Sequence, residues 1–355
     1  MTMTPKERLI AVFSGKTPDK VPFAPFDELI PRANFELDFR KRGMGFITNH
    51  SAVREFTEGI SKTIYMEKGG KRIDTRTPEG VLTEYWDYKK GASNDSFVQS
   101  EFWIKSVEDY KKAVSYFDSV RFCVDDSDDA LMDYFMGEEG LVHVWTAEPA
   151  FMGAQYYLGL EKWVFDRVDH PEEFESLIEA LDRMQSRRMA EELRCGQKLI
   201  NIGNLAGNFS PEDFERHMLP YLNHYAKALR EAGKWPTIHC DASNLALYKD
   251  IVRRCDAKII EAFTPPPIGD LSVAGAREAW GEETTIWVNF PEVILLEGYE
   301  QTRRYTKELL ESDPCPNKLI GLTEMGFVGT DIHRVPLLEQ GFHAILDAIE
   351  ESGIY

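Results

Sequence analysis

The feature that most constrains the fold of this chain is an alternation of short apolar runs with long amphipathic segments from about residue 140 onward. Such runs have the length of buried strands, and their regular alternation with helix-length segments is typical of βα units around a parallel sheet. The predicted strands are Val21 to Phe26, Leu141 to Glu148, Lys198 to Leu205, Pro236 to Asp241, Lys258 to Thr264, Thr285 to Phe290 and Lys318 to Thr323. Seven strands are visible, and we expect an eighth in the first third of the chain.

This pattern predicts an α/β fold, a (β/α)₈ TIM barrel, in one domain over residues 1–355. Barrels of this class run beyond about 250 residues as a single unit, so the length allows it. Residues 28–135 have a different character, since the turn-rich stretch 69–103 has strand-like alternation around Val81 to Trp86 and predicts a hairpin. We expect 28–135 to form an N-terminal helical and hairpin elaboration near the barrel mouth.

One helix between the strands has clear start signals. Ser210 is a candidate N-cap, Pro211 suits the first helical position, and apolar residues from Phe214 to Leu229 follow at spacings of three or four. Pro220 lies within this helix and predicts a kink, because proline lacks the backbone donor and clashes with the preceding turn.

Charge and composition narrow the class of function. Sixty acidic and 41 basic residues give a net charge of −19, which disfavours binding to nucleic acid or to anionic membranes. No run of about eighteen apolar residues occurs, and the first residues form a charged helix pattern without a signal peptide. The five cysteines are scattered and odd in number, which favours a reducing compartment. We expect a cytoplasmic protein.

In a barrel the working side chains lie just past the C-terminal ends of the strands. The polar residues predicted there are Asp27, Glu28, Glu148, Asn204, Asn208, His239, Cys240, Asp241, Glu261, Asn289 and Glu324.

The segment TIHCDASN places a histidine and a carboxylate at one strand end, and strand alternation puts His239 and Asp241 on the same face. They form a candidate half of a metal site, and the alternative is a histidine that only makes hydrogen bonds. Glu261 lies in an otherwise apolar strand, where its charge requires compensation by a metal, by a histidine, by protonation or by an arginine.

Glu324 also follows a strand. We therefore predict a zinc site formed by His239, Glu261 and Glu324, with a fourth position open for substrate. Asn289, in TIWVNFP, is a candidate for orienting a substrate oxygen, and the alternative is capping of the loop before Pro291.

Aromatic residues flank the early strand ends and would suit a planar organic substrate, although filling of the core is the alternative. They are Tyr85, Trp86, Trp103, Trp145, Phe151, Tyr156 and Tyr157. The run Pro265–Pro266–Pro267 predicts a stiff loop that suits a pocket wall.

Three stretches carry a family resemblance across nearly the whole chain: TPKERLIAVFSGKTPDKVPF near the start, LINIGNLAGNFSPEDFERHMLPYLNHYAKALREAG with IHCDASN in the middle, and KLIGLTEMG near the end. They resemble the uroporphyrinogen decarboxylase superfamily, which includes decarboxylases and cobamide-dependent methyltransferases on (β/α)₈ barrels. The decarboxylases carry an arginine-rich RQAGR segment where this chain has FDELIPRANFELDFRKRG. This departure argues against the decarboxylase activity.

The segments EAFTPPPIGD and IWVNFP are similar to the branch that demethylates aryl methyl ethers. In the zinc-dependent coenzyme M methyltransferases of the superfamily, a His-x-Cys pair and a later cysteine bind the metal. His239 matches that histidine, whereas Asp241 stands at the position of the cysteine and Leu322 to Met325 occupy the region of the third ligand. The ligands here would be oxygen-rich, which argues against activation of a thiol.

The resemblance implies a methyltransferase that moves a methyl group from a methoxylated aromatic compound to Co(I) of a partner corrinoid protein. His239, Asp241 and Asn289 are the candidate catalytic residues, with zinc as the metal. The alternatives are a decarboxylase, a transfer from a methylcorrinoid to a thiol or folate, and a binding protein without catalytic activity.

Overall fold

The computed structural model of the chain describes residues 2–30, 34–67, 69–90, 96–146, 148–205, 209–240, 244–323 and 332–355. The chain forms two compact units. The first comprises Met1–Ser51, Asp126–Trp145 and Gly196–Tyr355, and the second comprises Ala52–Asp125 and Thr146–Cys195. Of the predicted elaboration 28–135, residues 52–125 belong to the second unit, and the single-domain interpretation stays a prediction.

The strands are β1 (Phe46–His50), β2 (Val53–Thr57), β3 (Ser61–Glu67), β4 (Gly70–Thr77), β5 (Gly80–Lys89), β6 (Ser96–Glu101), β7 (Val120–Val124), β8 (Gly140–Trp145), β9 (Leu199–Asn204), β10 (Trp235–His239), β11 (Ile259–Phe263), β12 (Thr285–Asn289) and β13 (Lys318–Gly321). The helices are α1 (Pro5–Phe13), α2 (Asn34–Lys41), α3 (Val107–Ser119), α4 (Asp126–Met136), α5 (Ala150–Gly153), α6 (Gln155–Leu158), α7 (Leu160–Asp169), α8 (Pro171–Glu192), α9 (Pro211–Asp213), α10 (Leu219–Glu231), α11 (Leu245–Val252), α12 (Val273–Trp280), α13 (Glu292–Leu295), α14 (Tyr299–Ser312) and α15 (Val335–Ser352).

The first unit is built around a parallel sheet in the order β1-β8-β9-β10-β11-β12-β13. The segment 22–26 joins its two edges, since Phe23 bridges Ile320 of β13 and Phe26 bridges Ile47 of β1, both in parallel. Seven strands and this segment therefore close an eight-stranded barrel, which confirms the predicted fold class. The expected eighth strand is β1, whose sequence FITNH has three polar residues and therefore lacks the apolar run by which the other strands were predicted.

Local signals explain the helix that follows β9. The Ser210 side chain accepts a hydrogen bond from the backbone N–H of Asp213 at 3.0 Å, as an N-cap does, and Pro211 begins α9. The expected irregularity near Pro220 occurs as a π-helical turn, Phe214–Met218, immediately before α10. The helix therefore changes its hydrogen-bonding pattern at the point where the proline removes a donor.

The core of the barrel is aromatic on one side. The ring of Trp287 in β12 lies 5.6 Å from the ring of Phe13 and 5.6 Å from that of Phe26, measured between centroids. Gly321 in β13 leaves space for this indole, because a Cβ at that position would lie 2.5 Å from Nε1 of Trp287. Tight packing of this kind leaves little tolerance for added volume.

The second unit contains a four-stranded antiparallel sheet in the order β3-β4-β5-β6, an antiparallel pair β2-β7, and helices α3 and α5–α8. The predicted hairpin over 69–103 is the β4–β5 pair, in which Thr77 is opposite Gly80, extended by one strand on either side. Among the described residues, no helix is both long enough and apolar enough to cross a membrane.

Most of the predicted aromatic cluster lies in this second unit. Trp103 and Tyr157 pack together with ring centroids 5.1 Å apart, and Phe151 packs on Trp163 at 4.9 Å. Trp103 and Phe151 lie in the core of that unit, which is the alternative that the sequence left open, whereas Tyr156 is exposed. Trp145 is the member of the set that belongs to the barrel.

Candidate functional site

The site is centred on two polar side chains at neighbouring strand ends of the barrel. His239 is the last residue of β10 and is directly opposite Glu261 of β11 in the parallel register. Nδ1 of His239 lies 2.6 Å from Oε2 of Glu261, with Glu261 fully buried and His239 7% exposed. The sequence left four ways to compensate the charge of Glu261: a metal, a histidine, protonation or an arginine. In the structure, His239 is the group in contact with this carboxylate.

Near His239 the register is irregular in two strand pairs, β9–β10 and β11–β12, whereas the β10–β11 pair is regular. On β9 the pairing shifts by one residue between Asn201 and Asn204, where Gly203 has a φ of 147°. In the pairing of β11 with β12 the register shifts between Ile260 and Phe263, where Ala262 has a φ of 57°, in the left-handed region that side chains disfavour. Bulges and strained backbone of this kind are enriched at functional sites.

The bulge in β11 explains how Glu261 and Phe263 take different directions. In regular strand alternation, residues two apart share a face of the sheet. Here Glu261 contacts His239, whereas Phe263 packs against Trp280 of the outer helix α12 with ring centroids 5.6 Å apart. Ala262 is the extra residue that allows both contacts, so the polar pair and the outer packing coexist.

A second set of contacts brings Trp145 against His239. The two rings are 5.1 Å apart between centroids and inclined by 59°. Nε1 of Trp145 donates a 2.6 Å hydrogen bond to Oδ1 of Asn49, and Nδ2 of Asn49 donates a 2.9 Å hydrogen bond to Oε1 of Glu28. We call Glu28, Asn49 and Trp145 the Trp145 string.

Asn289 connects three strand ends. Its Nδ2 donates to Oγ1 of Thr264 at 2.9 Å, and its Oδ1 accepts from the backbone N–H of Thr323 at 3.0 Å. These bonds hold the residues that follow β11 and β13 against the end of β12. This is a structural role, as is the loop capping that the sequence left open as the alternative. A substrate oxygen would have to compete with them, and the orienting role predicted for Asn289 stays a prediction.

A second histidine lies deeper in the barrel. His143 of β8 is fully buried, and its Nε2 lies 2.8 Å from Oγ1 of Thr237, two residues before His239 on β10. Burial is the main cause that lowers the pKa of His143 from its usual 6.5 to about 3, and repulsion from the positive charge of His239 is the second cause. The imidazole of His143 is therefore neutral at physiological pH.

Of the predicted metal triad, His239 and Glu261 are brought together, while Glu324 lies outside the described residues, as do Asp241 and Asn208. Within the part of the chain that the structure describes, no group of three or more His, Cys, Asp or Glu side chains forms a metal site. Imidazole and carboxylate are nevertheless donors that zinc accepts. A ligating imidazole commonly donates its second N–H to a carboxylate, and Nδ1 of His239 and Glu261 have this relation.

The other predicted residues have different surroundings. Asp27 begins a short 3₁₀ turn, Asp27–Leu29, and Asn204 at the end of β9 pairs with His239 in the register. Cys240 is buried, and its backbone N–H donates to the carbonyl of Glu261 at 2.9 Å. Glu148 belongs to the second unit, where its carbonyl accepts from Gln185.

The loop after β11 borders a cavity of about 200 Å³. Pro265 and Pro266 line it together with residues of α12 and α14, and the Tyr305 hydroxyl donates to the carbonyl of Pro266. This cavity lies between the loop and two outer helices, away from the His239–Glu261 pair, and the role predicted for the loop as a wall of the substrate pocket stays a prediction.

Sequence reasoning missed Asn49, His143 and Thr237. Asn49 lies in the strand that the sequence did not reveal, and the LVHVW run containing His143 has the composition of an ordinary buried strand. The unusual backbone at Ala262 has no signal in the sequence, since alanine rarely adopts a positive φ.

Comparison with known proteins indicates a family and a fold. Residues 148–320 match the family model Uroporphyrinogen decarboxylase (URO-D), which confirms the resemblance to that superfamily. None of the curated proteins matches the chain significantly. Among solved structures, a methyltransferase from Methanosarcina mazei is similar with a TM-score of 0.59 and 13% sequence identity, over 98% of this chain and 99% of that chain. At this identity the likeness shows a common fold.

Proposed function

We propose that this chain, of which residues 148–320 match the uroporphyrinogen decarboxylase family model, is a methyltransferase that removes the methyl group of a methoxylated aromatic compound. The acceptor in this proposal is Co(I) of a partner corrinoid protein. The family match and the likeness to a methyltransferase support a methyl-transfer activity. The single observation that carries the proposal is the buried His239–Glu261 pair, with the Trp145 ring beside it at the strand ends.

The reaction requires a group that handles charge on the departing oxygen. Co(I) donates an electron pair to the methyl carbon, the C–O bond breaks, and the aryl oxygen leaves with the bonding pair and takes up a proton. The developing phenolate is stabilised by a positioned proton donor or by a Lewis acid. The imidazole of His239 suits the first role, because Glu261 holds its Nδ1 and thereby orients the ring.

Zinc is the second part of the proposal. His239 would hold the ion together with Glu261 or Glu324, and the bound ion would supply Lewis acidity toward the ether oxygen. The contact between Glu261 and Nδ1 favours Glu261 as the carboxylate that orients His239. Metal analysis of the purified protein tests this part: we expect roughly one zinc per chain and its loss in His239→Ala. Wild-type protein that contains no zinc, also after incubation with Zn²⁺, would reject it.

The flat face of Trp145 suits the substrate. An aromatic ring in the substrate can pack against an indole in an offset or edge-to-face geometry. The methyl carbon must then lie between the cobalt and the departing oxygen, and binding both partners in this alignment lowers the barrier. An aromatic methyl ether bound beside Trp145 would bring its oxygen near His239, because the two rings are 5.1 Å apart.

The test is turnover of a methoxylated aromatic compound with and without Co(I) cobalamin, followed by the phenol and by methylcobalamin. We expect both products only when Co(I) is present, and none from His239→Ala that retains the wild-type circular dichroism spectrum. Demethylation at full rate without a corrinoid would contradict the proposal, as would a fully active His239→Ala variant.

Decarboxylation is the second candidate, and the family match over residues 148–320 favours it. Release of carbon dioxide from uroporphyrinogen distinguishes it from methyl transfer. We expect no release, and a measurable rate would replace the first proposal with this one.

A further inference from the structure

The Trp145 string spans the barrel mouth from an exposed residue to the buried pair. Its hydrogen bonds run from Glu28, after the segment 22–26, to Asn49 on β1 and Trp145 on β8, and the Trp145 ring then contacts His239. Glu28 is exposed, Asn49 and Trp145 are half-buried, and His239 is buried. The string is therefore a continuous series of contacts from the surface to the proposed catalytic histidine.

The chemistry of the partners allows only one orientation of the Asn49 amide. An indole N–H can only donate, and an ionised carboxylate can only accept. Asn49 must therefore direct its oxygen toward Trp145 and its NH₂ group toward Glu28, as the bonds of 2.6 and 2.9 Å require. A flipped amide would place two donors opposite each other on one side and two acceptors on the other, so Glu28 and Trp145 together hold the Asn49 amide in this orientation.

Two contacts restrain different movements of the His239 ring. The bond from Nδ1 to Glu261 restrains rotation of the ring about the Cβ–Cγ bond, because that rotation would carry Nδ1 away from the carboxylate. The Trp145 ring, inclined by 59° at 5.1 Å, restrains displacement of the His239 ring toward β8. Loss of the Asn49 bond would remove the restraint that this 2.6 Å contact places on the direction of the half-buried indole.

We propose that Asn49 and Glu28 are positioning residues that act through Trp145 to orient His239 for methyl transfer. This inference rests on the proposed function for its catalytic part, while the string itself exists independently of the reaction. Catalysis depends on side chains held within a fraction of an ångström of the productive geometry, so disturbing such a support lowers turnover more than substrate binding.

The first experiment follows the string directly. In protein labelled with ¹⁵N-tryptophan, the seven indole N–H signals are recorded, and Trp145→Phe assigns the signal of Trp145. We expect this signal to move in Asn49→Leu and in Glu28→Ala, and to stay near its wild-type position in Glu28→Gln, whose side-chain oxygen still accepts from Asn49. A Trp145 signal unchanged in Glu28→Ala would overturn the claim that Glu28 orients the string.

The second experiment measures kcat and KM for demethylation of a methoxylated aromatic compound with Co(I) cobalamin. We expect kcat to fall on the order of tenfold in Asn49→Leu and in Glu28→Ala, with KM changing less than about twofold, because the lost alignment matters most in the transition state. Glu28→Ala changes an exposed residue and remains informative if Asn49→Leu fails to fold. A wild-type kcat in a variant whose Trp145 signal has moved would overturn the positioning role.

Asn223 provides the matched control. Its Nδ2 donates to the carbonyl of Arg254 and its Oδ1 accepts from the N–H of Asp256, so both ends of its amide are engaged in the same way, on helix α10. Asn223→Leu should lower the unfolding midpoint while leaving kcat and the Trp145 signal unchanged. If the wild-type protein transfers no methyl group, the proposed function fails, and the side-chain NMR signals of His239 then test the string. A change in those signals in Asn49→Leu would support it, and unchanged signals would reject it.

Discussion

Nδ1 of His239 and Oε2 of Glu261 lie 2.6 Å apart at the ends of two adjacent parallel strands. Glu261 has no exposed surface, so its charge depends on this contact and on its other surroundings for stabilisation. The pair is therefore both a candidate functional element and a determinant of the stability of the barrel.

Replacement of Glu261 should separate these two effects. Glu261→Gln keeps the shape of the side chain, so we expect activity to fall on the order of 10- to 100-fold with little change in fold, as for other partners that orient an active-site histidine. Glu261→Ala should also lower the free energy of unfolding by about 1–3 kcal/mol, because His239 loses its buried partner. Urea unfolding and turnover measure the two effects.

Glu215 is the control for that comparison. It pairs with Arg254 at 2.7 Å on the exposed surface. Exposed pairs contribute roughly 0–1 kcal/mol, so Glu215→Ala should change neither property strongly. Equal losses of stability in Glu215→Ala and Glu261→Ala would contradict the importance assigned to the buried pair.

The positive φ of Ala262 predicts an unusual response to glycine. Ala262→Gly removes the steric conflict of a φ of 57°, which is worth about 1 kcal/mol, and should leave the protein equally stable or slightly more stable. The same substitution in helix α12, Ala276→Gly, should destabilise by about 1 kcal/mol. Thermal unfolding of the two variants provides the test, and a larger loss for Ala262→Gly would exclude backbone strain at this bulge.

A methyl group added at Gly321 should destabilise the barrel. The new Cβ would lie 2.5 Å from Nε1 of Trp287 and 3.3 Å from the carbonyl of Ala24, so the indole or the backbone must move. We expect Gly321→Ala to reduce the free energy of unfolding by about 1–3 kcal/mol, as for other overpacked cores. Gly153→Ala, whose Cβ would meet its nearest neighbour at 3.5 Å, should have little effect when measured in the same urea series.

His143 predicts an acid dependence of stability. Its pKa is about 3 in the folded protein because of burial and repulsion from His239, compared with about 6.5 when unfolded. Between these values the unfolded chain binds the proton and the folded chain does not, so stability is lost as the pH falls below about 6.5, by up to about 1.4 kcal/mol per pH unit.

His143→Gln removes this titration and retains a side chain that can bond to Thr237. The stability difference between wild type and His143→Gln should therefore shift in favour of the variant on going from pH 7 to pH 5, as urea unfolding at both values would reveal. A difference that is the same at the two pH values would show that His143 does not lose its proton on folding.

Much of the barrel was predictable because its strands follow one another along the chain. The seven predicted strands from Val21 to Thr323 correspond to the segment 22–26 and to β8–β13. Parallel strands in this order bring their C-terminal ends to the same side, so the proximity of His239 and Glu261 followed from their positions at the ends of consecutive strands. The strand β1 was missed because its sequence, FITNH, lacks the continuous apolar run that marks the other buried strands.

The sequence by itself therefore determined the fold class, the resemblance to the uroporphyrinogen decarboxylase superfamily and the strand ends where polar residues gather, since all three depend on local patterns along the chain. Only the tertiary structure decided how His239 meets its neighbours. The bond between Trp145 and Asn49 joins residues 96 positions apart, and the bulge at Ala262 depends on the registers of β11 with β10 and β12. Contacts of this kind depend on strand register and on the mutual fit of side chains, and neither of these is encoded in the periodicity of any single segment.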